Sequence, residues 1–464
     1  MMANALSFDR DLIARYDRLG PRYTSYPTAV QFHEGFKSEQ YVENTRLSNE
    51  YPIPNPLSLY LHMPFCRNVC LYCACHRIIT KNTAHLVSYL EHLKREISLQ
   101  ARLFDRDRTV KQLHWGGGTP TYMTHDQMQD LMQEIRRRFT LEPDETGEYS
   151  IEVDPRETEE ITIPLLRSIG FNRISVGVQD FNPDVQKAVN RVQSIEQTAD
   201  IIGSAREEGF RSVSVDLIYG LPLQSVGSFH ETLQTVIAMS PDRISVFNYA
   251  HLPQRFKMQR RIREQSLPSP QEKLEMLGDI IETLTGAGYV YIGMDHFAKP
   301  DDELTLAQQN GTMCRNFQGY STHGDCDLIG LGMTAISSIS DCYAQNVCDL
   351  GEYQKMVWNG SYPILRGIRL DRDDLVRRDV IMRLICDFKI DIEAIEDRHG
   401  FDFREYFYNE LELLKGMEDD GLVTVDLTGI RVTPAGRLLI RNICGVFDKY
   451  LRSEDRQLLY SKVI

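Results

Sequence analysis

Four cysteines fall within one ten-residue stretch: Cys66, Cys70, Cys73 and Cys75 in PFCRNVCLYCACH. Thiolates are soft ligands that select zinc, copper(I) or iron–sulfur clusters. A structural zinc site usually draws on two separated ligand pairs, and this chain has no second pair. Spaced C-x3-C-x2-C in one loop, the first three cysteines can instead hold three irons of a cubane. The fourth iron would then lack a protein ligand, and an open position is what a catalytic metal centre needs. A structural zinc loop completed by His62, Cys75 or His76 is the competing reading of the same spacing. The six other cysteines are scattered and read as small buried apolar side chains.

The elements around this run predict how it is held. Short apolar runs at 57–62, 112–115, 149–154, 173–178, 213–220, 243–249 and 289–295 read as strands. Amphipathic stretches such as 85–104 and 269–288 read as helices between them. Alternating strand and helix predicts a parallel sheet, and six or more units predict a full or partial (β/α) barrel. Chemistry in such a fold sits where strands end. The cysteine run follows the first expected strand, GGGTP (116–120) the second, and Glu152–Asp154 closes the third. Gln179 follows the fourth, Asp216 ends the fifth, His251 follows the sixth and Asp295–His296 the seventh. Alone, GGGTP could also be a plain tight turn.

The 464 residues allow two or three domains, and 42% hydrophobic with 25% charged residues is an ordinary globular composition. A net charge of −14 argues against nucleic-acid or anionic-membrane partners, so any anionic substrate must meet local basic groups. The N-terminus lacks an apolar signal-peptide core, and no run approaches membrane-spanning length; a cytoplasmic location is expected. Three regions are predicted: an N-terminal extension (1–56), a barrel (57–345), and a mostly helical C-terminal domain (346–464) with a winged hairpin near 421–433.

YLHMPFCRNVCLYCAC, HWGGGTPTYM, SIEVDPRE, GVQDFNPDVQKAVNR, VDLIYGLPLQ and VFNYAHLP resemble the successive signatures of radical S-adenosylmethionine (SAM) enzymes. Within that superfamily the chain is most similar to the oxygen-independent coproporphyrinogen III oxidases, the HemN type. The likeness runs from GPRYTSYPTAV near the start to RLLIRNICGVFDKYL near the end. It implies an α/β radical SAM partial barrel with parallel strands, an N-terminal extension capping the active site, and a helical C-terminal domain with a winged hairpin.

By that resemblance, Cys66, Cys70 and Cys73 ligate a [4Fe–4S] cluster whose open iron is chelated by SAM. Tyr60, Gly117, Glu152 and Ile336 line the first SAM site, with Gly118 and Thr119 at its boundary. A glycine run lets backbone approach a ligand, and a carboxylate accepts from an ammonium. A second SAM molecule would meet Tyr72, Gly118, Thr119, Gln179, Arg191, Asp216 and Ala250; the same charges could equally form a barrel-rim network. Cys75 is a family feature placed near the substrate rather than a cluster ligand, and Ala74 stands where many relatives have glycine. His62, Phe317 and Gln318 are implied near the substrate, with Arg22 a donor to its propionates. The implied reaction converts two propionates of coproporphyrinogen III to vinyls, giving protoporphyrinogen IX. It needs a low-potential electron donor and an electron acceptor, in a monomer. Two rivals remain: a radical-SAM-like heme chaperone without oxidase activity, and a zinc-stabilised interaction protein. Chaperone relatives typically lack the fourth cysteine and the GPRYTSYPT segment, and both are present here.

Overall fold

Alternation within the strands decides which way each side chain faces. In Glu148–Val153, Tyr149, Ile151 and Val153 are buried while Glu148, Ser150 and Glu152 are half-buried. Successive strand residues point to opposite faces, so one face is apolar and the other carries polar groups. From Ser175 to Gln179 and from Ser214 to Tyr219 the same alternation places Ser175, Gly177, Gln179, Ser214 and Asp216 on the polar side.

The structure, a computed structural model, describes residues 6–451. The first five and last thirteen residues of the expected outer regions therefore lie outside it. The chain divides into two compact units. The larger comprises Phe32–Ile280 and Asp325–Arg369. Its strands are β1 (Leu57–Met63), β2 (Val110–Gly117), β3 (Glu148–Val153), β4 (Arg173–Gln179), β5 (Ser212–Tyr219), β6 (Arg243–Asn248), β7 (Asp327–Leu331), β8 (Ile336–Ile339), β9 (Cys342–Asn346) and β10 (Ile364–Arg369). They follow one another in the order β10-β9-β8-β7-β1-β2-β3-β4-β5-β6. From β7 through β6 every pairing is parallel, while β7–β8, β8–β9 and β9–β10 are antiparallel.

Helices α1 (Ala84–Gln100), α2 (His125–Arg138), α3 (Thr162–Ser168), α4 (Ile195–Glu207) and α5 (Val226–Met239) alternate with the parallel strands. Their starts are written in the sequence. Thr124 and Gln127 form a reciprocal capping box at α2, as do Ser194 and Gln197 at α4. Asp126 in the first turn of α2 and Arg136–Arg138 in its last complement the helix dipole. Leu90, Leu93 and Ile97 of α1 and Leu131, Met132 and Ile135 of α2 are buried beneath them.

Two expectations change. The seventh parallel strand is β7, not 289–295. Val290–Gly293 and His296–Ala298 instead form an antiparallel hairpin, because Gly293 (φ 149°) and Met294 (φ 52°) turn the chain back inside what reads as one apolar run. Unit borders also differ from 1–56, 57–345 and 346–464. Paired with β9, β10 keeps the chain as far as Arg369 in the larger unit. His33 exchanges backbone bonds with Gly367 at 3.0 and 3.2 Å, which keeps the segment from Phe32 onward there too.

The smaller unit comprises the N-terminal segment to Gln31, Ile281–Gly324 and the chain from Leu370 onward. Helix Arg372–Asp387 packs against helix Ile440–Val446. Val423–Val425 and Gly429–Val432 form the hairpin expected near 421–433, with Lys389–Asp391 as its third strand. The Pro- and Tyr-rich segment near residue 20 is tied down here: Arg441 Nε donates to the Pro21 carbonyl at 2.8 Å, and Tyr23 Oη to Asp448 at 3.1 Å. No described helix is long and apolar enough to cross a membrane.

Candidate active site

The cysteine loop leaves the end of β1 and is closed by backbone bonds. Phe65–Cys66 pairs in parallel with Ile78–Ile79, and the Thr80 N–H donates to the Cys66 carbonyl at 3.1 Å. Leu71 anchors its middle, buried in an apolar cluster with Val185, Val189, Leu221, Tyr249 and Ile262. The Leu71 N–H donates to the Val189 carbonyl at 2.9 Å, and Asn190 Nδ2 to that of Val69 at 2.7 Å. NPDVQKAVNR is thus the clamp on the loop. Ala74 does not take a left-handed φ, so its methyl is accommodated.

Guanidinium groups surround the thiols. Arg77 donates to the carbonyls of Cys70, Cys73 and Cys75 at 3.0, 2.9 and 3.2 Å. The Cys70 sulfur faces Arg156 Nη2 at 3.4 Å and Arg191 Nη1 at 3.6 Å. Thr119 Oγ1 donates to the Cys66 sulfur at 3.3 Å. A hydrogen bond from the Cys75 thiol draws Cys73 below the usual thiol range and pushes Cys75 above it, while burial pushes Cys66 up to about 11. A positive setting favours the thiolate that binds metal.

Beside the loop lies the end of β2. Gly118 N–H donates to the Met63 carbonyl at 2.7 Å. A Cβ on Gly118 would stand 2.8 Å from the Met63 oxygen and 2.9 Å from the Phe65 oxygen, and one on Gly117 2.6 Å from the His62 ring. Close approach of backbone, not a turn alone, requires these glycines. Gly117 N–H donates to Glu152 at 3.2 Å, and His114 Nε2 meets the same carboxylate at 3.2 Å. Burial works to raise the Glu152 carboxyl, but His114 and the Gly117 N–H outweigh it and hold it below the ordinary range. Tyr60 stacks on His114 at 5.8 Å and bonds His62 Nδ1 at 3.1 Å. His62 Nε2 meets the His76 carbonyl at 3.0 Å, so a neutral ring protonated at Nε2 satisfies both contacts; burial lowers its pKa accordingly. Across β7, Gly330 pairs with Tyr60, and a Cβ there would strike the Ile336 backbone at 2.6 Å.

Farther along the polar face, Arg191 is already engaged. Its Nη1 pairs with Asp154 at 2.9 Å and its Nη2 donates to the Gly177 carbonyl at 2.6 Å, leaving Nε buried without a partner. Asp216 accepts from Ser175 Oγ at 3.0 Å, and burial raises it to about 6. Gln179 ends β4 with φ 70°, a left-handed conformation uncommon for a residue with a side chain and concentrated at functional sites. Gln259 Nε2 holds the carbonyls of Tyr72 and Ala250 together at 3.0 and 3.2 Å. The residues expected at both SAM positions thus share the larger unit with the cysteines. Arg22, Phe317 and Gln318 belong to the smaller one, where Arg22 pairs with Asp295 at 2.8 Å and Phe317–Gln318 tip a hairpin.

Sequence reasoning missed Arg77, Arg156 and His114. The signal for His114 was alternation, since it shares the polar face of its strand with Tyr60 and Ser150 as register partners. Arg77 and Arg156 carried no signal, because their partners are set by the fold. Of the residues that could complete a zinc loop, His62 is engaged by Tyr60 Oη and the His76 carbonyl. Thiols beside guanidinium groups and a bare glycine edge fit an iron–sulfur cluster in their chemistry.

Residues 60–236 match the radical SAM superfamily and residues 370–439 the HemN C-terminal domain. The chain is 53% identical over 463 residues to the oxygen-independent coproporphyrinogen III oxidase of Pseudomonas aeruginosa, covering 100% of both chains. It is 50% identical over 464 residues to that of Escherichia coli, again covering 100% of both. A solved structure of coproporphyrinogen III oxidase (HemN) from Escherichia coli, described as a radical SAM enzyme, superposes with a TM-score of 0.90 at 49% identity, over 96% of this chain and 100% of that one. With this likeness along its whole length, the chain belongs to the oxygen-independent coproporphyrinogen III oxidases of the radical SAM superfamily.

Proposed function

We propose that the chain catalyses the oxygen-independent oxidative decarboxylation of coproporphyrinogen III to protoporphyrinogen IX in heme biosynthesis. The observation that carries the reading is the cysteine loop lying on the glycine edge, with Thr119 Oγ1 3.3 Å from the Cys66 sulfur. When bound, a [4Fe–4S] cluster and SAM supply a 5′-deoxyadenosyl radical that takes a hydrogen from a propionate β-carbon; loss of CO2 and one electron then leaves a vinyl group.

The chain's own residues bind and orient. Cys66, Cys70 and Cys73 hold the irons, and Arg77 fixes the loop carbonyls that carry them. Glu152, kept ionised, accepts the methionyl ammonium of SAM, while Tyr60, Gly117 and Ile336 line its site with Gly118 and Thr119 at the boundary. A second SAM would meet Tyr72, Gln179, Arg191, Asp216 and Ala250 together with Gly118 and Thr119; the unpartnered Arg191 Nε supports this. Cys75, exposed beside Cys73, and His62, Phe317 and Gln318 are assigned to the substrate side. A low-potential donor supplies the electron that starts each round, and a separate acceptor takes the one the substrate loses. The protein acts as a monomer in the cytoplasm, where cysteines stay reduced.

The test is anaerobic release of labelled CO2 from coproporphyrinogen III carrying carboxyl-labelled propionates. Release that requires SAM supports the reading, and heme binding without release would favour the chaperone.

A further inference from the structure

In the smaller unit, Cys314–Asn316 and Gly319–Ser321 form an antiparallel hairpin in which Arg315 lies opposite Tyr320. Arg315 is 8% exposed, and its guanidinium lies 4.6 Å from the centroid of the Tyr320 ring. The ring is itself fixed. Its hydroxyl donates to the Ile385 carbonyl at 3.0 Å, and a Cβ on Gly293 would collide with that hydroxyl. The cation therefore sits on a rigid aromatic platform that sets its plane.

A buried guanidinium is ordinarily met by a carboxylate. Arg315 is not: its Nε and Nη1 are buried with no hydrogen-bond partner. Charges of the same sign surround it. Arg441 is buried with its Nε and Nη2 on the carbonyls of Pro21 and Gly20 at 2.8 and 2.5 Å. Burial, together with Arg22 and Arg315, lowers Arg441 to about 10. Asp295 is the carboxylate opposing this group, and Arg22 already holds it at 2.8 Å. Arg22 thus takes the Asp295 carboxylate, and Arg315 is left with no carboxylate of its own. The ligand chemistry that satisfies it is a carboxylate.

We propose that Arg315, seated on Tyr320 and backed by Arg22 and Arg441, is a receptor for one propionate carboxylate of the tetrapyrrole. This rests on the function proposed above. The receptor lies on the hairpin tipped by Phe317 and Gln318, whose turn is closed by the Gln318 N–H donating to Asn316 Oδ1 at 2.9 Å.

Steady-state kinetics of reconstituted holoenzyme with coproporphyrinogen III, under anaerobic conditions, tests it. R315Q is expected to raise KM by about tenfold or more, the loss that follows deletion of charge-assisted hydrogen bonds, with a smaller fall in kcat. R315K keeps the charge but not the planar fork and is expected to recover part of the KM. An unchanged KM in R315Q, or a loss confined to kcat, overturns the inference and leaves the oxidase reading standing. Absence of turnover in the wild type overturns that reading, and the inference with it. If melting temperature and iron content show R315Q to be unfolded, R315K decides: a raised KM supports the receptor and an unchanged one overturns it.

Discussion

Arg191 and Asp154 meet at 2.9 Å behind the cysteine loop, and the same guanidinium reaches the Gly177 carbonyl at 2.6 Å and the Cys70 sulfur at 3.6 Å. One buried cation thereby ties the end of β3, the last turn of β4 and the loop together. Asp154 is shared with Arg156, whose Nη2 lies 2.6 Å away, so two cations converge on one carboxylate.

Removing that carboxylate leaves buried positive charge without compensation. Asp154→Asn is expected to cost about 3–5 kcal/mol of stability, the usual penalty for breaking a buried pair from one side. Denaturant unfolding of the reconstituted protein measures it. A loss below about 1 kcal/mol, typical of an exposed pair, would contradict the account.

Gly118→Ala brings a methyl within 2.9 Å of three backbone atoms of the chain entering the loop. Backbone cannot yield as a flexible side chain can, so loss of most of the bound iron is expected. Gly203 has nothing within 4 Å of its would-be Cβ. Being inside α4, Gly203→Ala is expected to keep its iron and gain about 0.5–1 kcal/mol. Iron and sulfide content per chain compares the two, and equal content in both variants would refute the steric argument.

Leu71 holds the loop by packing rather than by charge. Leu71→Ala is expected to destabilise the protein by about 2 kcal/mol or more and to lower iron retention. Leu71→Met, which nearly conserves volume, is expected to keep both. Identical iron retention in all three proteins would show that the plug does not fix the loop.

Glu96 makes stability pH-dependent. It accepts from Tyr353 Oη at 2.6 Å and from Gly332 N–H and Asn346 Nδ2 at 2.7 Å, yet burial still raises it from 4.5 to about 7. Between those values the folded chain holds a proton that the unfolded chain has released. Its contribution is complete below the unfolded value and is lost as pH rises through the window, by up to about 3 kcal/mol. Glu96→Gln is expected to flatten the slope of unfolding free energy between about pH 5 and about pH 7. An unchanged slope would assign the dependence elsewhere.

The cysteine spacing, the glycine run and Glu152 were legible because each falls at a strand end, where the fold brings ends together. Arg77 and Arg156 were not, since a guanidinium that clamps carbonyls or faces a sulfur looks like any loop arginine until the loop is folded. Asp154 and Arg191 were both noticed, but 37 residues of sequence separate them and nothing in either motif pairs them. YVYIGMD (289–295) reads as one strand because its apolar run hides the reversal at Gly293–Met294. The antiparallel strands β8 and β9 escaped for a related reason: they follow short turns with no intervening helix, which an alternating strand–helix reading does not anticipate.

The most direct test of the central claim couples radical formation to product. Reconstituted chain, SAM, coproporphyrinogen III and a low-potential reductant would be incubated without oxygen, and 5′-deoxyadenosine and protoporphyrinogen IX counted together. Each vinyl group needs one SAM cleavage, so about two 5′-deoxyadenosines per protoporphyrinogen are expected, with neither product from Cys70→Ser. Vinyl product from Cys70→Ser, or 5′-deoxyadenosine from the wild type with no vinyl product, would contradict the account.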